Sequence, residues 1–153
     1  MAAPEVDAPR LLRAAREDAG MTQRALADAV GARQPHIAGI ESGRRPVSAD
    51  LLDRLLTATD YRPSLALAEQ RDALIDLGLR HGVSEIRVFG SVARGADHHS
   101  SDIDLLVRFD RAADPLAFPL FVAEATDLLG FPVDVVVDSE NVHPHIASTA
   151  VRL

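Results

Sequence analysis

The sequence predicts two domains of different class: an all-α helical bundle over residues 1–62, then an α/β (α+β) domain with a small mixed sheet over residues 63–153. Three observations predict this. Apolar residues recur at helical spacing in the first part and alternate with period two in the second. The charge changes at the same place. Residues up to Arg62 carry nine Arg against nine acids, and those from Pro63 onward carry seven Arg against fourteen acids, so the net charge of −7 belongs to the second part. Finally, Tyr61-Arg62-Pro63-Ser64 reads as a junction, because Pro63 disfavours helix at Arg62 and Ser64 can cap a new one.

Composition narrows the function classes. The chain has no Cys, which excludes disulfides, zinc thiolate sites and thiol catalysis. It also has no Lys, so any phosphate clamp must be a guanidinium fork rather than an ammonium point charge. No apolar run approaches the roughly 18 residues that would span a bilayer. The N-terminus, with Glu5 and Asp7, lacks the basic and apolar regions of a signal peptide. We therefore expect a cytoplasmic protein with no membrane partner. The overall negative charge does not exclude DNA, because the first part is neutral and can bind it if its Arg residues share a face.

In the first part, Asp7 can cap a helix with Pro9 in its first turn and Gly20 past its end, buried along Leu12, Ala15 and Ala19. Thr22 caps a second helix, carried by Leu26, Ala27 and Val30 and ended by Gly31. Pro35 opens a third, with Ile37 and Ile40 as its buried pair and Gly43 as its stop. Ser48 caps a fourth, built on Leu51, Leu52, Leu55 and Leu56. The second and third helices are spaced as a helix-turn-helix. Thr22-Gln23, Leu26-Ala27, Gly31, Gln34, Ile37, Ile40-Glu41 and Gly43 together resemble the Xre/Cro family over residues 8 to about 60. The resemblance implies that the third helix enters the major groove of double-stranded operator DNA, with Gln34 and His36 at base edges. It implies that Gln23 touches phosphate at a helix start and that Arg44 and Arg45 neutralise phosphates beyond the recognition helix. Glu41 is expected as a structural partner of Arg16. Ala38 and Gly39 offer bases no hydrogen bonds, so affinity should be low for one copy and useful for dimers on half-sites roughly 34–36 Å apart.

The second part begins with a helix from Ser64 to about Arg80, carrying Leu67, Leu74 and Leu77 and ended by Gly82. Glu85-Ile86-Arg87-Val88-Phe89 alternates as a half-buried strand and stops at Gly90-Ser91. After a polar loop come a second strand, Asp102 to Val107, a helix near Leu116 to Leu129, and a third strand, Val133 to Val137. On a strand, Asp102 and Asp104 point to one face, with their Cα atoms about 7 Å apart, while Ile103 points to the other. Asp134 is an isolated acid in an apolar strand. Three inward acids on neighbouring strands repel one another and are costly unless a hard cation neutralises them, and Mg²⁺ fits that donor set. Two such ions about 3.5–4 Å apart would stabilise the attacking and leaving oxygens of a phosphoryl displacement. Gly90 allows close approach of a phosphate at the start of a short helix, Ser91 to Arg94. There the Ser91 hydroxyl and backbone N–H groups can donate to it, and Arg94 can add a bidentate contact. Asp97-His98-His99 lies in a polar loop and reads as solvated, and His143 and His145, flanking Pro144, read as structural.

Gly90-Ser91 followed by Asp102-Ile103-Asp104 is similar to the signature of the nucleotidyltransferase superfamily that includes DNA polymerase beta. Phe89 to Gly95, Ser101 to Val107, Val133 to Val136 and the late His143-Pro144 resemble its minimal (MNT) group, over about residues 66–153. The resemblance extends to the antitoxin of HEPN–MNT toxin–antitoxin pairs. It implies a Mg²⁺-dependent protein adenylyltransferase with two metal ions and ATP as substrate. Asp102, Asp104 and Asp134 are its catalytic and metal residues, and Gly90, Ser91 and Arg94 its nucleotide-binding residues. The implied acceptor is a hydroxyl, expected on Tyr, of a HEPN-type ribonuclease toxin, and the implied assembly is a homo-oligomer or a toxin–antitoxin hetero-oligomer. Two other readings stay open: a repressor whose transferase domain only docks and neutralises a partner, and a toxin that modifies RNA ends. Like charge between the acidic second part and RNA disfavours the last.

Overall fold

The computed structural model of the chain describes residues 7–153; residues 1–6, among them Glu5 of the N-terminus, lie outside the described residues. The chain forms two compact units. Among the described residues, one holds those from Asp7 to Arg62 together with His98–Ser100, and the other holds Pro63–Asp97 and Ser101–Leu153.

The first unit contains α1 (Ala8–Asp18), α2 (Gln23–Val30), α3 (Gln34–Glu41) and α4 (Ala49–Thr59). Their starts are set by side chains that take up orphan backbone donors. Asp7 Oδ1 accepts from the Arg10 N–H at 3.2 Å, Thr22 Oγ1 from Ala25 at 3.0 Å and Ser48 Oγ from Leu51 at 3.2 Å. Gly31, left-handed at φ 69°, ends α2 and turns the chain into α3, completing the helix-turn-helix. Helices of 8 to 11 residues are marginal alone and are held by the core they share. That core is Leu12, Leu26, Ala27, Val30, Ile37, Ile40 and Leu55, flanked by Met21, Ala32, Val47 and Leu51. The buried stripe of α1 ends at Ala15; Ala19 is its exposed C-cap rather than a core residue.

The second unit contains α5 (Pro63–Glu69), α6 (Arg71–Arg80), β1 (Val83–Phe89), α7 (Gly90–Ala93), β2 (Ile103–Phe109), α8 (Ala117–Leu129), β3 (Val133–Val137), α9 (Pro144–Thr149) and β4 (Val151–Arg152). The sheet order is β3-β2-β1-β4. β1 runs antiparallel to β2 and β4, whereas β2 and β3 are parallel and joined through α8, so the sheet is mixed as expected. α6 packs on β1, α8 packs on β3 and on α6, and α7 rests against β1 and β2. Ile103, Leu105, Val107, Phe121, Leu129 and Val133 are buried in this second core.

Four local features depart from the sequence reading. The helix expected from Ser64 to Arg80 is two helices broken at Gln70 (φ −103°, ψ 12°), and each piece buries its own apolar residues: Ala66 and Leu67, then Leu74 and Leu77. The first helix is not capped by the Ser64 side chain. Instead Asp97, from the loop read as solvated, accepts from the Ser64 N–H at 2.8 Å. β1 starts two residues early and carries an irregularity between Ser84 and Arg87, with Glu85 at φ 49°. β4 is too short to show a period, and exists because Val151 and Arg152 pair with Val88 and Arg87.

In the helical unit, Glu41 is buried yet ionised. Arg16 grips it bidentately, Nε to Oε1 at 2.7 Å and Nη2 to Oε2 at 3.1 Å, and Gln23 Nε2 adds a bond at 2.9 Å. Burial pushes its carboxyl up, but the bonds from Arg16 and Gln23 and the charges of Arg16 and Arg13 outweigh this and hold it below the usual carboxylate range. Removing one partner of such a pair leaves the other uncompensated. Glu41→Ala should therefore destabilise the helical unit by about 3 kcal/mol, read from urea unfolding followed by NMR signals of residues 8–59. A lowered carboxyl stabilises the fold above its unfolded pKa, and that stability is lost as pH falls through the folded value. Glu41→Gln should remove this acid-side loss, and an unchanged acid limb would contradict the assignment.

Candidate functional site

The acids of the second unit are brought together by register. Phe89, the last residue of β1, lies opposite Asp104, and Asp104 lies beside Asp134 in the parallel β2–β3 pairing. Asp104 and Asp134 therefore share a face of the sheet. Asp102 stands just before β2, which begins at Ile103. The expectation of three inward acids needs correcting. Asp102 and Asp134 are exposed and Asp104 is half-buried, so the group lies at an open end of the sheet and not in a core. Burial pushes the Asp104 carboxyl above its ordinary range, the charges of Asp134 and then Asp102 push it further, and Arg94 pulls it back.

Gly90 closes the other side. It follows β1 at φ 70°, a left-handed conformation that side chains disfavour. A Cβ there would lie 2.2 Å from Asp104 Oδ2. Glycine is thus needed twice, for the turn and for the space that the Asp104 carboxylate fills. Ser91 is half-buried in the first turn of α7, which begins at Gly90 rather than at Ser91. Arg94, its C-cap, is exposed.

Among the described residues, no set of three or more His, Asp and Glu stands ready to hold a metal ion. The donor chemistry nonetheless suits a hard divalent cation. All three side chains offer carboxylate oxygen, and the repulsion that raises Asp104 is what a cation would relieve.

In the helical unit, Gln34 and Gln23 are coupled, Gln34 Nε2 donating to Gln23 Oε1 at 2.9 Å. Since Gln23 also donates to Glu41, its side chain is already engaged within the fold. Gln34, Pro35 and Ser42 line the exposed side of α3, with Ala38 partly exposed among them. His36 is half-buried, and two residues along a helix from Gln34 it points about 200° away. The structure does not bring His36 onto the Gln34 face. Arg44 and Arg45, both exposed, follow the helix. Arg44 Nε donates to Ser42 Oγ at 2.9 Å, and the Arg45 stem lies against Gly39.

Residues 67–152 match the family model described as a nucleotidyltransferase domain. The chain belongs to the nucleotidyltransferase domain family. Residues 10–68 of this nucleotidyltransferase match the model of a helix-turn-helix domain. It is 40% identical over 77 residues to the protein adenylyltransferase MntA of Thermococcus cleftensis, covering 50% of this chain and 77% of that protein. It is 36% identical over 76 residues to a protein of Methanocaldococcus jannaschii whose name also calls it a protein adenylyltransferase, covering 50% and 81% respectively. A solved structure described as a minimal nucleotidyltransferase superposes with TM-score 0.51 at 34% identity, over 59% of this chain and 93% of that one.

One residue on the acid face of the nucleotidyltransferase sheet escaped the sequence reading. Arg87, two residues before Phe89 and beside Leu106 in register, bonds Asp138 just past β3 and so bridges across β2. Only the pairing of three strands reveals that reach. Asp104 gives the direct test of the site. For an acid whose folded pKa is raised, stability falls as pH rises from its ordinary range through the folded value. Asp104→Asn should raise the melting temperature of the metal-free protein at neutral pH and flatten that fall. Gly90→Ala should lower it, since the new Cβ collides with the carboxylate. Calorimetry across pH checks both, and an Asp104→Asn variant that melts with the wild type at every pH would sink the repulsion argument.

Proposed function

We propose that this nucleotidyltransferase transfers AMP from ATP, with Mg²⁺, to a tyrosine hydroxyl of a HEPN-type ribonuclease toxin, and that its helix-turn-helix binds operator DNA of the same gene pair. The observation that carries the reading is Asp104, set between Asp134 and Gly90 with its carboxyl raised by burial and neighbouring acids. The names of the relatives, protein adenylyltransferases, support a protein acceptor. The protein would work in the cytoplasm, as a homo-oligomer or in complex with the toxin; among the described residues no helix is long and apolar enough to cross a membrane.

In this reading the backbone N–H groups at the start of α7, from Gly90 and Ser91, and the Ser91 hydroxyl donate to the phosphates, and the Arg94 fork grips a non-bridging pair of oxygens. Asp102, Asp104 and Asp134 would hold two Mg²⁺, which supply charge neutralisation at the attacking and leaving oxygens. Asp134, exposed on the edge strand β3, can meet a hydroxyl presented by a second protein and take its proton. The tyrosine oxygen forms a bond to the α-phosphorus, the bond to the β,γ-pyrophosphate breaks, and pyrophosphate leaves.

Intact-mass spectrometry of the co-purified partner, after incubation with ATP and Mg²⁺, should show one or more adenylyl increments that vanish with Asp104→Ala. A partner silenced without gaining mass would show that the domain only docks. For the DNA half, Gln34→Ala should blur base preference in the chain's own promoter region, and a footprint that survives deletion of residues 1–62 would refute operator binding.

A further inference from the structure

We propose that Arg45, rather than any further side chain of α3 itself, reads a guanine edge in the major groove; this rests on the operator-binding reading above. The recognition helix is poor in polar groups where it is most exposed. Behind Gln34 its accessible side carries Pro35, Ala38 and Ser42, and the next position round, Gly39, has no side chain at all. Gly39 is nevertheless buried, because a residue outside the helix covers it. Its absent Cβ is replaced by the Arg45 stem: a Cβ built there would lie 2.9 Å from Arg45 Cδ, 3.0 Å from Cγ and 3.4 Å from Nε.

Gly39 is not a turn glycine, since the backbone there is helical. Its lack of a side chain serves the arginine. The segment after α3 is tied down to suit: the backbone N–H groups of Arg44 and Arg45 both bond the Gly39 carbonyl at 3.0 Å, and the Ser42 hydroxyl bonds it at 3.1 Å. Arg45 is therefore anchored at its own backbone and laid along the helix by its methylenes, which lowers the entropy lost when the guanidinium binds. Gly39 lies about 140° round the helix from Gln34 and about 40° from Pro35, so the arginine flanks the exposed stripe on the side away from Gln34. A fork held at that edge of a recognition helix matches the O6 and N7 acceptors of guanine. Arg44, leaning on Ser42, is the phosphate clamp.

Selection of the full-length chain on randomised duplexes tests this. The wild type should select one guanine per half-site that Arg45→Ala no longer prefers, with discrimination there falling roughly tenfold or more. Gly39→Ala should lose the same guanine while keeping the charge, so its salt dependence should match the wild type. Arg44→Ala should instead weaken all sequences alike and reduce the salt slope by about one. If Gly39→Ala fails to fold, by its amide spectrum, Arg45→Ala decides alone, since the backbone bonds of residues 44 and 45 to the Gly39 carbonyl survive that change. Unchanged base preference in Arg45→Ala, with affinity reduced evenly and a shallower salt slope, would overturn the assignment and leave operator binding standing. A wild type that selects no sequence would overturn both.

Discussion

Two strand pairings, Phe89 opposite Asp104 and Asp104 beside Asp134, decide what the second half of this chain can do. Side chains alternate across a strand, so a slip of one residue in either pairing would turn Asp104 into the apolar core and Ile103 or Leu105 into water. The hydrophobic pattern of β2 opposes that slip, because Ile103, Leu105 and Val107 are all buried on the face opposite Asp104. The ordinary demand to bury apolar surface thus holds two like charges on adjacent strands against their repulsion. Gly90 completes the constraint: only without a Cβ can the turn after β1 come close enough to shut Asp104 in.

Glu41 and Asp104 show opposite uses of the same cost. Glu41 is buried and fully answered by Arg16 and Gln23, so its carboxyl sits low and its charge is permanent structure. The relay continues from Gln23 to Gln34, so the position of an exposed helix residue is fixed by a buried acid. Asp104 is less buried but faces acids, with only Arg94 acting the other way on it, and its carboxyl sits high. Burial opposes charge at both positions, and the sign of the neighbours decides the outcome. A paired acid is content with the protein alone; an acid among acids has interaction energy left for something that arrives from outside.

Much of this was legible in the sequence wherever the cause is local. Asp7, Thr22 and Ser48 cap helices through bonds to residues three positions on, and the apolar patterns of Glu85–Phe89, Asp102–Val107 and Val133–Val137 announce β1, β2 and β3. Residue types at the candidate site were legible too, but their inequality was not: only the folded sheet makes Asp104 half-buried between two exposed acids. The Asp97 cap on α5 and the pairing of β4 with β1 both depend on partners far along the chain, and no residue nearby signals them. Gly39 is the sharpest case. In sequence it is a missing contact in a recognition helix, and in space it is the seat of Arg45.

The charge step at residue 62 acquires a meaning once the site is built. The part that carries the whole net −7 is the part that would receive a triphosphate, a ligand of the same sign. Long-range attraction does not bring such a substrate in; like charge slows its approach. On the proposed reading the nucleotide is therefore recognised as its cation complex, whose charge is largely offset before it meets the carboxylates. On that same reading, DNA would be repelled by the acidic half and left to the neutral, arginine-bearing helix-turn-helix.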